Sequence, residues 1–306
     1  MKPTPQPPAW SRVGLPSLVG LAVLTISLVW ANWPALLTMV ERWSQDSHYS
    51  HGFLVPAFSA WWLWNRRDRL PDLRPNWMGL PLVVGGALVK IAGAYFFLEW
   101  LDFVSIVPVL WGVSLLIGGW PCLRWAWPAL AFLVFMVPLP HRVEYALGSP
   151  LQKIATVTST YALQTLGLPA VAEGYVILIN ESRIGIVEAC NGMGMLFMFF
   201  AFTTAMVMVI QRGLVDRIVI FLSAVPIAVF ANIVRITLTG YLQVTAGGKV
   251  ADAFYHDMAG WLMMPLALAL VWAELWILSH AFLEPVEPRA DAGLELALGR
   301  SPRNPD

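Results

Sequence analysis

Apolar residues in this chain come in long unbroken runs, not in the short alternating pieces of a soluble domain. Several runs reach the ~20 residues needed to cross a ~30 Å hydrocarbon layer. The pattern predicts eight spans, at about 15–37, 52–64, 79–97, 103–119, 127–139, 192–210, 218–241 and 258–283. The expected fold is therefore all-α: a polytopic membrane helical bundle of about eight transmembrane helices. Trp43, Trp77, Trp100, Trp120 and Trp125 stand near the ends of these runs, where amphipathic rings settle at the headgroup level.

Two stretches break the pattern. From 140 to 190 a long loop separates the fifth and sixth spans. Its first half, 144–166, carries Leu147, Leu151, Ile154, Val157 and Tyr161 at helical spacing, which predicts an amphipathic helix lying on the membrane surface. Its second half has a β-branched run from Gly174, a turn at Asn180-Glu181-Ser182, and a second run from Arg183. That order predicts a small β-hairpin delivering the chain to Cys190. The tail 284–306 is rich in Pro and charge and is expected to be disordered. The domain plan is a cytoplasmic N-terminus at 1–14, a transmembrane domain at 15–283 and a cytoplasmic tail. Lys2 and Arg12 precede the first run like a signal-peptide n-region, but the run outlasts a typical h-region, so it is expected to remain as the first span.

Charge orients the bundle. With the N-terminus inside, twelve of the nineteen Lys and Arg fall in cytoplasmic segments and five in outer ones, while Lys90 and Arg235 lie within spans. This bias satisfies the positive-inside rule and places loop 140–190 outside, in the periplasm of a bacterial inner membrane. Composition agrees: 58% of residues are hydrophobic and 12% charged, against about 25% charged in soluble domains. A formal net charge of zero supplies no electrostatic footprint for nucleic acid. The expected partners are membrane lipids and proteins.

By this topology Cys122 is cytoplasmic and Cys190 outer, so each is a free thiol. An inert buried cysteine suffices for Cys122. Cys190 stands immediately before the sixth span, where free N–H groups and the positive end of the helix dipole favour a thiolate. Asn191 is a candidate N-cap, and Gly192 would let a substrate backbone approach. Arg235 lies about six residues from the outer end of its span, or ~9 Å at 1.5 Å per residue. It snorkels to headgroups or finds partners; Asn232, Arg235 and Thr239 form a stripe on one helix face, which favours a protein interior. His256 precedes the last span on the same side, with Asp252 one turn earlier. As a plain loop histidine it does nothing, but Cys, His and Arg on one membrane face are the inventory for thiol acyl transfer. His48 and His51 lack further ligands at metal spacing, so neither a metal nor another cofactor is expected. Lys90 and Glu274, both mid-span, are a candidate ion pair.

These residues resemble the exosortase/archaeosortase family of membrane-embedded cysteine transpeptidases. The resemblance rests on Val187-Glu188-Ala189-Cys190-Asn191-Gly192 at the head of a span and on Ala231-Asn232-Ile233-Val234-Arg235 in the next. His256 before the last span and the block from Tyr49 through His51 to Pro56 complete it. It implies Cys190 as nucleophile, Arg235 as electrostatic stabiliser and His256 as general acid/base; Glu188, Asn191, Gly192, Asn232, Asp252 and His51 are candidate supporting residues beside them. It also implies substrates: exported proteins with a C-terminal tail made of a short motif such as Pro-Glu-Pro, a transmembrane helix and a basic cluster. After the Cys-Asn-Gly, Met193-Gly194-Met195 departs from the Leu-plus-basic pattern common in the family and leaves the subtype open. From a different class, a transporter or flippase would use the polar stripe of the seventh span as a substrate path.

Overall fold

The computed structural model describes residues 15–179, 182–185, 193–210, 212–247, 250 and 259–281. The first apolar run is not one straight helix. It divides into α1 (Leu15–Ala31) and α2 (Trp33–Gln45), and Ala22–Ala31 meets α2 at a 68° bend. Pro34 in the first turn of α2 brings no N–H. At the bend the Asn32 amide donates to the Leu28 carbonyl at 2.9 Å, and its oxygen accepts from Lys90 Nζ at 2.8 Å.

A 3-10 segment (Ser47–Phe53) leads into α3 (Leu54–Asn65), whose twelve residues rise only ~18 Å. Then come α4 (Gly79–Phe96), α5 (Glu99–Val104), α6 (Ile106–Phe132) and a 3-10 turn (Leu133–Met136). Helix α4 buries Gly79, Gly86 and Gly93, seven residues apart, on one face. With no side chain there, the Gly79 and Gly112 backbones lie against each other, the small-residue contact by which membrane helices approach closely.

Glu99–Met136 forms one 38-residue helical stretch that would be ~57 Å long if straight. It cannot be straight. Arg42 bonds Glu99 at 2.7 Å while its neighbour Trp43 donates to the Met136 carbonyl at 3.0 Å, so both ends of the stretch meet at α2. The chain doubles back at Gly119, whose φ of 69° and ψ of −166° break the helix and whose missing Cβ leaves room for the Arg74 carbonyl. Phe103 and Phe132 accordingly share one core cluster. Cys122 and Arg124, expected in a loop, are helical.

The second part of the chain is α7 (His141–Thr165), β1 (Ala170–Glu173), β2 (Val176–Ile179), β3 (Ser182–Gly185), α8 (Met193–Val209), α9 (Leu214–Leu222), α10 (Ala224–Thr245) and α11 (Ala259–Ala281). The expected hairpin is present as β2–β3, with Val176 opposite Gly185. A third antiparallel strand, β1, adds to it and aligns Ala170 with Ile179. The helix expected on the membrane surface also exists, but it lies along α10. Ser159 donates to the Ile233 carbonyl at 3.3 Å, and Leu163 packs over Gly240. Its apolar side (Leu147, Ile154, Val157, Tyr161) faces outward, and its polar side (Gln152, Thr156, Ser159, Thr160) is buried. Small hydroxyls that bond back to their own helix, as Thr156 and Thr160 do, let two helices close on each other where bulky chains would hold them apart.

Among the described residues, three helical stretches are long and apolar enough to cross a membrane: Gly79–Phe96, Glu99–Met136 and Leu214–Thr245. The bent α1–α2 pair makes a fourth if it is counted as one span. The fold is a helical membrane bundle with a small sheet, and these stretches do not establish the expected eight spans. The short run expected at 52–64 is present as α3 (Leu54–Asn65), whereas the apolar runs did not show that the first would bend between α1 and α2.

Candidate functional site

Helix α8 is the hub of the site. One side of its first turns, at Met195, Leu196 and Phe199, packs against Ala228 and Ala231 of α10. On the other side Phe197 meets the His51 ring, with centroids 6.0 Å apart. One turn beyond Ala231 on α10 stands Arg235, 7% exposed in an apolar bundle, and its guanidinium donates to Asn232 Oδ1 at 3.0 Å. Asn232 itself is 1% exposed. A charge held this far from water costs several kcal/mol unless polar groups receive it, so the Asn232–Arg235 pair is an interior feature and not a snorkelling side chain. Thr239 completes the expected stripe. Its hydroxyl oxygen is shielded and has no hydrogen-bond partner among the described residues.

His51 is buried too, and its Nε2 lies 3.1 Å from the Phe135 carbonyl. Tyr49 sits beside it, accepting from the Leu139 N–H at 3.3 Å. Burial, reinforced by the nearby Glu144 carboxylate, pushes the Tyr49 phenol up to about 12, so it stays protonated at any physiological pH. The side chain of His48 lies outside the described residues, and among those described no group of three His, Cys, Asp or Glu could hold a metal.

The structure thus brings together Asn232 and Arg235 and places His51 across α8 from them. Cys190, Asn191, Gly192, Glu188, Asp252 and His256 lie outside the described residues. Sequence reasoning missed the buried polar face of α7, although Gln152, Thr156, Ser159 and Thr160 recur at helical spacing. That signal shares its period with the apolar stripe on the opposite face. The Lys90–Glu274 ion pair is not formed. Lys90 bonds Asn32 and lies 3.7 Å from Asp102, whereas Glu274 on α11 accepts from Ser223 at 2.7 Å. Each mid-span charge found a nearer polar partner.

The fold is a helical membrane bundle that holds a buried Asn232–Arg235 pair on α10. Residues 43–273, well over half of the chain, match the transmembrane exosortase family (Exosortase_EpsH), and the chain belongs to that family. Its general class is therefore a membrane transpeptidase or protease acting on proteins that carry sorting signals. No curated protein and no solved structure matches it.

Proposed function

We propose that the protein is a thiol transpeptidase or endopeptidase that cuts the C-terminal sorting tail of exported proteins at the outer face of the bacterial inner membrane. The observation that carries this reading is Arg235, buried on α10 one turn from the contact with α8, because α8 begins only three residues after Cys190. In the proposed reaction the Cys190 thiol gives its proton to His256 and attacks the scissile carbonyl. Arg235, steadied by Asn232, stabilises the thiolate and then the oxyanion. Collapse of the tetrahedral adduct breaks the C–N bond, His256 returns the proton to the leaving amine, and an acyl-thioester remains on Cys190. An acceptor amine or water then takes the acyl group and frees the thiol. Glu188, Asn191, Gly192, Asp252 and His51 are the proposed supporting residues.

The orientation follows from the Lys and Arg bias, with both termini cytoplasmic. The substrate's own transmembrane helix would hold its motif at the outer face. Coexpression with a protein bearing a motif, helix and basic-cluster tail is expected to give a processed product. Cys190→Ser should abolish that product; undiminished processing by the variant would remove the nucleophile.

A further inference from the structure

Hydrogen bonding along the small sheet shows which backbone groups face its edges. Ala170 is engaged on the side away from β2: its N–H donates to the Leu168 carbonyl at 2.9 Å, and its carbonyl accepts from Gln164 Nε2 at 2.8 Å. Backbone groups alternate sides along an antiparallel strand. Val171 and Glu173 therefore bond their opposites on β2, Leu178 and Val176, while Ala172 faces away. The other two residues of β2, Ile177 and Ile179, then bond Ile184 and Ser182 of β3. This leaves the N–H and C=O groups of Arg183 and Gly185 pointing outward from β3, where no strand among the described residues pairs with them.

The two edges of the sheet are not equivalent. On the β1 edge, Leu168 and Gln164 already occupy Ala170, and Ala172 alone is left. The β3 edge offers the donors and acceptors of both Arg183 and Gly185, along a strand ~13 Å long at ~3.3 Å per residue. It also stands at the candidate site. Ile177 and Ile179 of β2 share a core cluster with Ile236 of α10, which directly follows the buried Arg235. Strand β3 ends at Gly185, five residues before Cys190.

We propose that the β3 edge is the substrate dock: the segment of the exported protein beside its scissile bond joins the sheet as a fourth strand, bonding Arg183 and Gly185 through its backbone. An open edge is a template for an added strand, and strand addition holds a peptide extended by its main chain. A peptide held in this way is fixed relative to the nucleophile, which is what a positioned attack requires. The dock rests on the peptidase reading above and adds to it where the substrate is held.

The test measures binding apart from cleavage. The probe is a fluorescent synthetic peptide with a Pro-Glu-Pro motif, an apolar helix and a basic cluster, added to the full Cys190→Ser chain in detergent micelles. Gly185→Pro deletes an outward N–H and puts a ring in its place without removing a ladder bond, a change that edge strands tolerate. It should weaken binding of the probe by on the order of tenfold. Ala172→Pro, the same change on the opposite edge, should leave binding unaltered. If Gly185→Pro does not fold, the probe itself decides: replacing single peptide N–H groups outward of its helix by ester oxygens should weaken binding at every second residue and not between. Equal losses from the two proline variants, no loss from a folded Gly185→Pro, or ester effects without alternation would overturn the dock. A dimer of the chain alone that Gly185→Pro dissolves would give the edge to a second copy and would also overturn it. The two readings fail separately. Cleavage that survives Cys190→Ser sinks the nucleophile and leaves the binding results standing, whereas unchanged binding by Gly185→Pro, with cleavage lost in Cys190→Ser, sinks the dock alone.

Discussion

Polar groups do opposite work in the two halves of this bundle. In the first half, from α2 to the end of α6, they make isolated contacts, to backbone carbonyls or, for Lys90, to the side chains of Asn32 and Asp102. Trp43 donates to Met136, Ser59 to Ala129 and Trp125 to Arg66. The contact between α4 and α6 is glycine against glycine. In the second half, polar residues occupy whole buried faces: Gln152, Thr156, Ser159 and Thr160 on α7, and Asn232 and Arg235 on α10. Isolated bonds that close loops make a scaffold. A polar interior among apolar helices is costly to maintain, and it lies in the half to which the proposed site is assigned.

The sharpest way to break this comparison is to remove the charge. Arg235→Ala should lower the processing rate by about 10²–10³-fold, the typical loss when one oxyanion-stabilising donor is removed, and Arg235→Lys should recover part of it. Processing of a tailed substrate, beside a melting curve for each variant, separates the outcomes. A variant that melts early but still processes would make Arg235 a packing residue and dissolve the distinction between the halves.

The scaffold half should fail differently. A Cβ on Gly112 would stand 2.7 Å from the Gly79 carbonyl and from Val83, and neither backbone can yield without parting α4 from α6. Gly112→Val is expected to cost on the order of 1–3 kcal/mol by overpacking, read as a lower midpoint in detergent unfolding. At a permissive temperature the folded fraction should process at the normal rate. Loss of processing at full stability would mean that the site reaches into the first half.

How far the sequence could carry this comparison depended on which physical signal dominated. The β2–β3 hairpin was legible because two β-branched runs flank a turn, and the helix of α7 because its apolar residues keep a 3.6 period. Arg235 stood out because a charge inside an apolar run is rare. The bend at Asn32 was hidden, because hydropathy averages over an asparagine inside an otherwise apolar stretch; the reversal at Gly119 falls where the expected runs 103–119 and 127–139 part, but the residues just after it are helical, not a loop. The packing of α7 was hidden for a related reason. Amphipathicity shows that a helix has two faces, and only tertiary contact shows that here the polar face turns toward protein and not toward water.

Tyr49 sharpens the boundary between the halves, since it belongs to the first and bonds Leu139 at the entry to the second. Its phenol has an ordinary value of 10 and is raised to about 12 by burial. Between those values the unfolded chain loses the proton while the folded chain keeps it, so the unfolded state binds fewer protons and stability falls as pH rises. Unfolding midpoints should therefore decline from about pH 10 to about pH 12. Tyr49→Phe should flatten that decline and leave the midpoint near pH 7 changed only by the lost Leu139 bond, about 1 kcal/mol. An unaltered slope in the variant would assign the alkaline loss to other groups.

The smallest expected effect is an interaction energy of nearly zero, and it tests whether the halves are independent. Lys90 is engaged within the first half by Asn32 and Asp102, and Glu274 within the second by Ser223. Charges with separate partners and no shared neighbour should add. Lys90→Met and Glu274→Gln, singly and together, should therefore sum to within about 0.5 kcal/mol. A coupling of 1 kcal/mol or more would require the two charges to sense each other through the bundle, so the polar networks of the two halves would be one network and the scaffold could not be separated from the site.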